Sequence, residues 1–102
     1  MVIADISIAP LGTKTSSVSK YVAMAIKILQ QEKDIKYELT PMGTVVEGDL
    51  DGILRVTKKM HEAILGQGIM RVITTIKIDE RRDKRQSMKS KVNSVEKKLG
   101  KS

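Results

Sequence analysis

The chain has no cysteine, no phenylalanine and no tryptophan, and only one histidine, two prolines and two tyrosines among 102 residues. Without cysteine there is no disulfide and no thiolate metal site, and a reducing compartment is the expected setting. Without Phe or Trp the stacking platform that single-stranded nucleic acid requires is missing, so nucleic-acid binding is not expected, duplex contact through phosphates by the basic C-terminal third being the weaker alternative. No apolar run approaches the ~20 residues of a membrane helix. The opening Met1-Val2-Ile3-Ala4-Asp5 also lacks the basic segment of a secretory signal. A cytoplasmic protein without a membrane span is the expectation.

The same scarcity limits catalysis. His61 has neither a second histidine nor a cysteine to work with, and reads as a structural side chain beside a helix stripe. The glycines at 43, 48 and 52 form neither GxGxxG nor a P-loop. Nothing resembles a general acid and base flanking a substrate bond. No catalytic residue, metal or cofactor is expected.

What is present fits one globular domain spanning residues 1–102, with 40% hydrophobic and 30% charged residues. The net charge of +7 is localised: Met1–Met70 carries eight basic and eight acidic residues, Arg71–Ser102 eleven and four. A neutral body with a basic final third is implied. Within that third, Arg81, Arg82 and Lys84 form an alternative site for an anionic, phosphorylated metabolite, in an oligomeric regulatory or scaffold role. The same run also reads as a solvated, mixed-sign turn.

Val2 to Ala9 alternates as a strand, with Val2, Ala4, Ile6 and Ile8 on one side, and Pro10-Leu11-Gly12 is expected to end it. Ser16 or Ser17 can cap a helix whose stripe runs Val18, Tyr21, Val22, Ala25, Ile28, Leu29, closed by Lys33-Asp34. Tyr37 to Asp49 then reads as a hairpin, with strands near 35–40 and 44–48 around Pro41-Met42-Gly43, feeding a helix capped by Asp49. That helix carries Leu50, Ile53, Leu54, Thr57, Met60, His61 and Ile64, and stops near Gly66 or Gly68. Arg71–Asp79 alternates as a fourth strand, and Ser87 caps a last helix striped by Met88, Val92, Val95 and Leu99. The order predicts an α+β ferredoxin-like βαββαβ sandwich with a four-stranded antiparallel sheet and an added C-terminal helix. One sheet face stays uncovered, with Ile3, Asp5, Ser7, Glu38, Thr40, Ile73, Thr75, Lys77 and Asp79 on it. A homo-oligomer is therefore expected.

Carboxylates stand in strands at Asp5, Glu38, Glu47 and Asp79. On a half-buried face they cost free energy unless paired or aimed at a ligand. One reading pairs them with Lys77, Arg81 or Arg82. The other has one or two receive a cationic or amino-bearing ligand, with Ser7, Thr40 and Thr44 as neutral partners.

Ile8-Ala-Pro-Leu-Gly12, Ser17-Val-Ser-Lys-Tyr-Val22, Tyr37-Glu-Leu-Thr-Pro-Met-Gly-Thr44, Glu47-Gly-Asp49, His61-Glu-Ala63 and Ile76-Lys-Ile-Asp-Glu-Arg-Arg-Asp-Lys84 together resemble the thiamine-binding protein family, over nearly the whole chain. The resemblance implies the ferredoxin-like fold, dimers paired into a homotetramer, and non-enzymatic binding of thiamine or its hydroxymethylpyrimidine moiety. In this reading Glu47 or Glu38 faces the cationic or amino group, and Ser7, Thr40 and Thr44 hydrogen-bond the ring. Gly43 lets the backbone come close.

Overall fold

The computed structural model describes residues 1–13, 19–83 and 87–100. Its elements are β1 (Val2–Leu11), α1 (Ser19–Gln30), β2 (Lys36–Thr40), β3 (Gly43–Gly48), α2 (Leu50–Leu65), β4 (Arg71–Glu80) and α3 (Met88–Lys98). The strands form one antiparallel sheet in the order β2-β3-β1-β4. This is the ferredoxin-like arrangement that the element order predicts.

Alternation sorts the side chains between faces. Ala4 pairs with Val46 and Ile78, and Ile6 with Thr44 and Ile76, so these rows lie under α1 and α2. There they meet Leu29, Ile53, Val56 and Met60, all essentially inaccessible to solvent. The opposite face carries Ile3, Asp5 and Ser7 of β1 and their cross-strand partners; among the described residues α3 reaches it through Lys91, which borders a depression there with Ile3, Asp5, Val45, Lys77 and Asp79.

Helix boundaries follow local chemistry. Asp49 sits in extended backbone and its Oδ2 accepts from the Gly52 amide at 3.1 Å, capping α2 as its sequence position implies. Asp51 adds a negative charge to the same first turn, where the helix dipole favours it. Ser87 caps α3 through a reciprocal box with Ser90. The proposed caps Ser16 and Ser17 lie outside the described residues.

Three expectations need correction. Pro10 does not end β1; it continues the ladder opposite Val72. β3 leaves β1 after Ile6, so the strand is bonded on one side only beyond that point, the setting in which a strand accepts proline. Helix α1 ends at Gln30, before Lys33-Asp34, because the chain must turn back so that Ile35 enters the core. On α2 the buried stripe is rotated from the expected one: Val56 is fully buried and Leu54 is 45% exposed.

The turn after α1 is fastened to α2 by Glu32, which accepts from Arg55 Nη2 at 3.0 Å and Lys59 Nζ at 3.1 Å. The Lys59 hydrogen bond, then that of Arg55, holds the Glu32 carboxyl below its ordinary range. A depressed folded-state value means stabilisation above the unfolded value that is lost as pH falls through the folded one. Glu32→Gln is therefore expected to lower the melting temperature slightly at neutral pH. The gap to wild type should close in acid, measured by thermal melts across pH.

Helix α3 buries none of its residues, and Lys91 ties it to Asp79 on the open face of the sheet. Val92, Val95 and Leu99 are exposed along one side of it.

Candidate functional site

The hairpin turn is built on Thr40. Its hydroxyl accepts from the amides of Met42 (3.3 Å) and Gly43 (3.1 Å) and donates to the Gly43 carbonyl (2.8 Å). This clamps the turn beside the stretch of β1 that β3 no longer pairs. A strand edge without a neighbour offers free backbone N–H and C=O groups. The resulting gap in the sheet opens a cavity of about 200 Å³.

Tyr21, Val22 and Ala25 of α1 form one wall, and Met60 and Ile64 of α2 close the far end. Ile6 and Ile8 supply the floor, while Ser7, Thr40, Met42, Gly43 and Thr44 frame the mouth. Lys20 holds its ammonium 5.0 Å from the centre of the Tyr21 ring, a cation–π contact at the outer end of that wall. None of the described residues that line it is charged. The cavity crosses the sheet: Ile6, Ile8 and Thr44 belong to the helix-covered face, Ser7, Thr40 and Gly43 to the open one.

Four of the sequence-selected residues, Ser7, Thr40, Gly43 and Thr44, thus gather around one opening. The two glutamates stand apart. Glu38 is exposed on the open face opposite Val45. Glu47 is 5% exposed and borders a shallow depression with Lys33, Asp34 and Lys36. It lies four residues from Gly43, ~13 Å along an extended strand. A different carboxylate is nearer. Asp5 Oδ1 lies 2.8 Å from where a Cβ on Gly43 would stand, so the missing side chain lets Asp5 rest against the turn.

The basic segment is partly occupied by its own neighbours. Arg81 donates from Nε to Asp83 Oδ1 at 2.9 Å, and this bond raises the guanidinium's already high pKa. Arg82 is exposed, and Lys84 lies outside the described residues. His61 is half-buried, with Nδ1 2.6 Å from the Thr74 hydroxyl across the α2–β4 contact. Among the described residues no group of three or more His, Cys, Asp or Glu is placed to hold a metal. None of their helices is long and apolar enough to cross a membrane.

Sequence reading missed the walls. Tyr21, Val22, Ala25, Met60 and Ile64 sit at regular stripe positions and read simply as core. The one usable signal is Ala25, a small residue in a stripe of large ones, which leaves space where the sheet is also incomplete.

The model of the family described as thiamine-binding protein matches residues 4–96. The chain belongs to the thiamine-binding protein family. It is 51% identical to the UPF0045 protein YqgV of Bacillus subtilis over 102 residues, covering 97% of this chain and 98% of that one. Among solved structures, hypothetical protein MJ1052 of Methanocaldococcus jannaschii superposes with a TM-score of 0.86 at 45% identity, covering 92% and 94% of the two chains. A Thermotoga maritima protein assigned provisionally to thiamine biosynthesis or salvage has a TM-score of 0.75 at 23% identity, over 92% of this chain and 97% of that one. At that identity the likeness speaks for the fold. The family's names point to small-molecule binding and indicate no catalytic activity.

Proposed function

We propose that the cavity takes the neutral aminopyrimidine ring of thiamine, or free hydroxymethylpyrimidine, as a non-enzymatic binding site in the cytoplasm. The observation that carries this reading is a cavity of about 200 Å³ with no charged side chain among its described lining residues, its mouth framed by hydroxyls and an open strand edge. That volume is below the roughly 300–1,000 Å³ of sites for drug-sized ligands, and suits one ring better than two. An aminopyrimidine needs donors and acceptors in its plane, and we assign these to the hydroxyls of Thr44 and Ser7 and to the backbone of Ile8, which faces the side that β3 has left. Thr40 is committed to the turn and acts by shaping the mouth.

The thiazolium ring of thiamine would then project through the mouth on the open face. Asp5, resting against Gly43, is the carboxylate nearest to it; Glu38 is next along the sheet, and Glu47 is too remote to touch the same ligand. This departs from the assignment that sequence reading favours. The whole chain acts as one binding domain, assembled as an oligomer through the open face.

The test is isothermal titration with hydroxymethylpyrimidine and with thiamine, for wild type and Asp5→Asn. Both ligands are expected to bind the wild type. Asp5→Asn should weaken thiamine about tenfold, since hydrogen bonds and contacts to charged groups contribute ~1.5–3 kcal/mol, and leave the pyrimidine unchanged. Absence of binding by either ligand would reject the reading. Equal loss for both would reject the role of Asp5.

A further inference from the structure

Of the strand carboxylates Asp5, Glu38, Glu47 and Asp79, Glu47 alone is buried. Its cross-strand neighbours are Lys36 on β2 and Ile3 on β1. Lys36 is cationic, yet neither it nor any other described residue forms an ion pair or hydrogen bond with the Glu47 carboxylate. Among the described residues no fully buried side-chain oxygen or nitrogen lacks a hydrogen bond. The small part of Glu47 that stays accessible therefore includes its carboxylate oxygens, and they open onto a depression of about 510 Å³. A carboxylate so far removed from water costs free energy until a cation meets it.

The depression lies at the end of the sheet where β1 and β2 begin and β3 gives way to α2. Lys33 and Asp34 reach it from the turn after α1, Lys36 from β2, and Glu47, Gly48 and Asp49 from the end of β3. The pyrimidine cavity is at the other end of the β2–β3 hairpin and shares none of these residues. Both walls are held from behind. Glu32, bonded to Arg55 and Lys59, fastens the turn to α2. A Cβ on Gly48 would stand 3.2 Å from Ile35 Cγ1 and 3.4 Å from the Asp34 carbonyl oxygen, so the turn packs directly on the end of β3. Asp49 is held by its bond to the Gly52 amide. A site fixed in this way spares a ligand the cost of ordering it.

Its rim carries both signs of charge. Lys33 and Lys36 are positive, while Asp34 and Asp49 join Glu47 as negative groups. A bare cation would meet the lysines, and a bare anion the carboxylates. A molecule with both charges a few bonds apart satisfies each. No three of the described His, Cys, Asp or Glu residues are placed to hold a metal, whereas an ammonium needs only separate acceptors for its three N–H groups.

We propose that this depression is a second binding site, for a small zwitterion of the aminoalkyl carboxylate or aminoalkyl phosphate class. The ammonium sits on Glu47, and the anionic group on Lys33 and Lys36. The site is independent of the pyrimidine reading.

The experiment is titration of wild type, Glu47→Gln and Lys36→Ala with β-alanine and with O-phosphoethanolamine, followed by backbone amide shifts. Ethylamine and inorganic phosphate serve as probes of one charge each. Saturable shifts are expected at residues 33–36 and 47–49, with at least one zwitterion binding about tenfold or more above either single-charge probe. Glu47→Gln should weaken that zwitterion by about tenfold or more, the loss expected when a charged hydrogen-bond partner is removed. Lys36→Ala should weaken it too, and because Lys36 is exposed this variant reads the site even if Glu47→Gln unfolds. The tighter of the two zwitterions identifies the anionic group. The melting temperature of Glu47→Gln should be no lower than that of wild type, since no bond is lost.

Absence of shifts at residues 33–36 and 47–49 with both zwitterions would overturn the proposal. So would a Glu47→Gln variant that melts lower yet binds as tightly as wild type, the pattern of a plain ion pair with Lys36. Hydroxymethylpyrimidine binding should be the same in all three proteins. Its absence from wild type would reject the pyrimidine reading and leave the zwitterion titrations to decide this one.

Discussion

Ile53→Ala is expected to destabilise the protein by about 2–5 kcal/mol, the cost of losing buried methyl and methylene groups and leaving a cavity. Ile53 is fully inaccessible and lies in one cluster with Val2, Ala4, Leu29, Val56 and Met60. It joins α2 to the centre of the sheet. Domains of this size have roughly 5–15 kcal/mol in all, so the variant should melt far below wild type or be partly unfolded at 25 °C. Leu54→Ala is the control. The two residues are adjacent and both apolar, yet Leu54 is 45% exposed and should cost well under ~1 kcal/mol. Urea denaturation of both variants settles which way the helix faces. Equal losses would mean that the buried stripe includes Leu54 after all.

Gly43→Ala should have the second largest effect, and should reach both stability and binding. An added methyl would stand 2.8 Å from Asp5 Oδ1 and 3.1 Å from the Ile6 carbonyl oxygen. The carboxylate can swing away, but the carbonyl belongs to the β1 backbone. A loss of about 1–3 kcal/mol is expected, typical of overpacking, with weaker pyrimidine binding because the turn is pushed off the cavity mouth. The same substitution in an Asp5→Ala background should cost less, since only the carbonyl contact remains. A double-mutant cycle read by denaturant melts should therefore show coupling of ~0.5–3 kcal/mol. Strict additivity would mean that Asp5 does not rest on the turn.

The fold was legible because its signals are local and repeated. Alternation in β1 and β4, the turn at Pro41-Met42, and the caps Asp49 and Ser87 each specify an element without reference to the rest of the chain. Where the reading strayed, a neighbour decided. Pro10 stays in β1 because β3 has already departed, and no pattern in β1 itself carries that information. Leu54 and Val56 trade places because the sheet selects which side of α2 to cover.

The site was legible by half. Ser7, Thr40, Gly43 and Thr44 stood out as small or polar residues in strand positions, and they border one opening. Glu38 and Glu47 attracted the same attention for being strand carboxylates. Both point to the open face, as Ser7, Thr40 and Gly43 do, and it is distance along the strands that sets them away from the opening. Asp5 was visible as one carboxylate among four, but its contact with Gly43 comes from packing two strands that are far apart in sequence. The apolar walls could not be told from core, since a cavity is a failure of packing and leaves no residue type of its own.

Backbone amide shifts on titration with hydroxymethylpyrimidine test binding in this cavity most directly. Saturable shifts are expected at residues 6–8, along α1 near Ala25, and at residues 40–44, with residues 81–83 and α3 much less affected. Shifts concentrated at residues 81–83 and α3, with the hairpin turn and Ala25 unmoved, would contradict it.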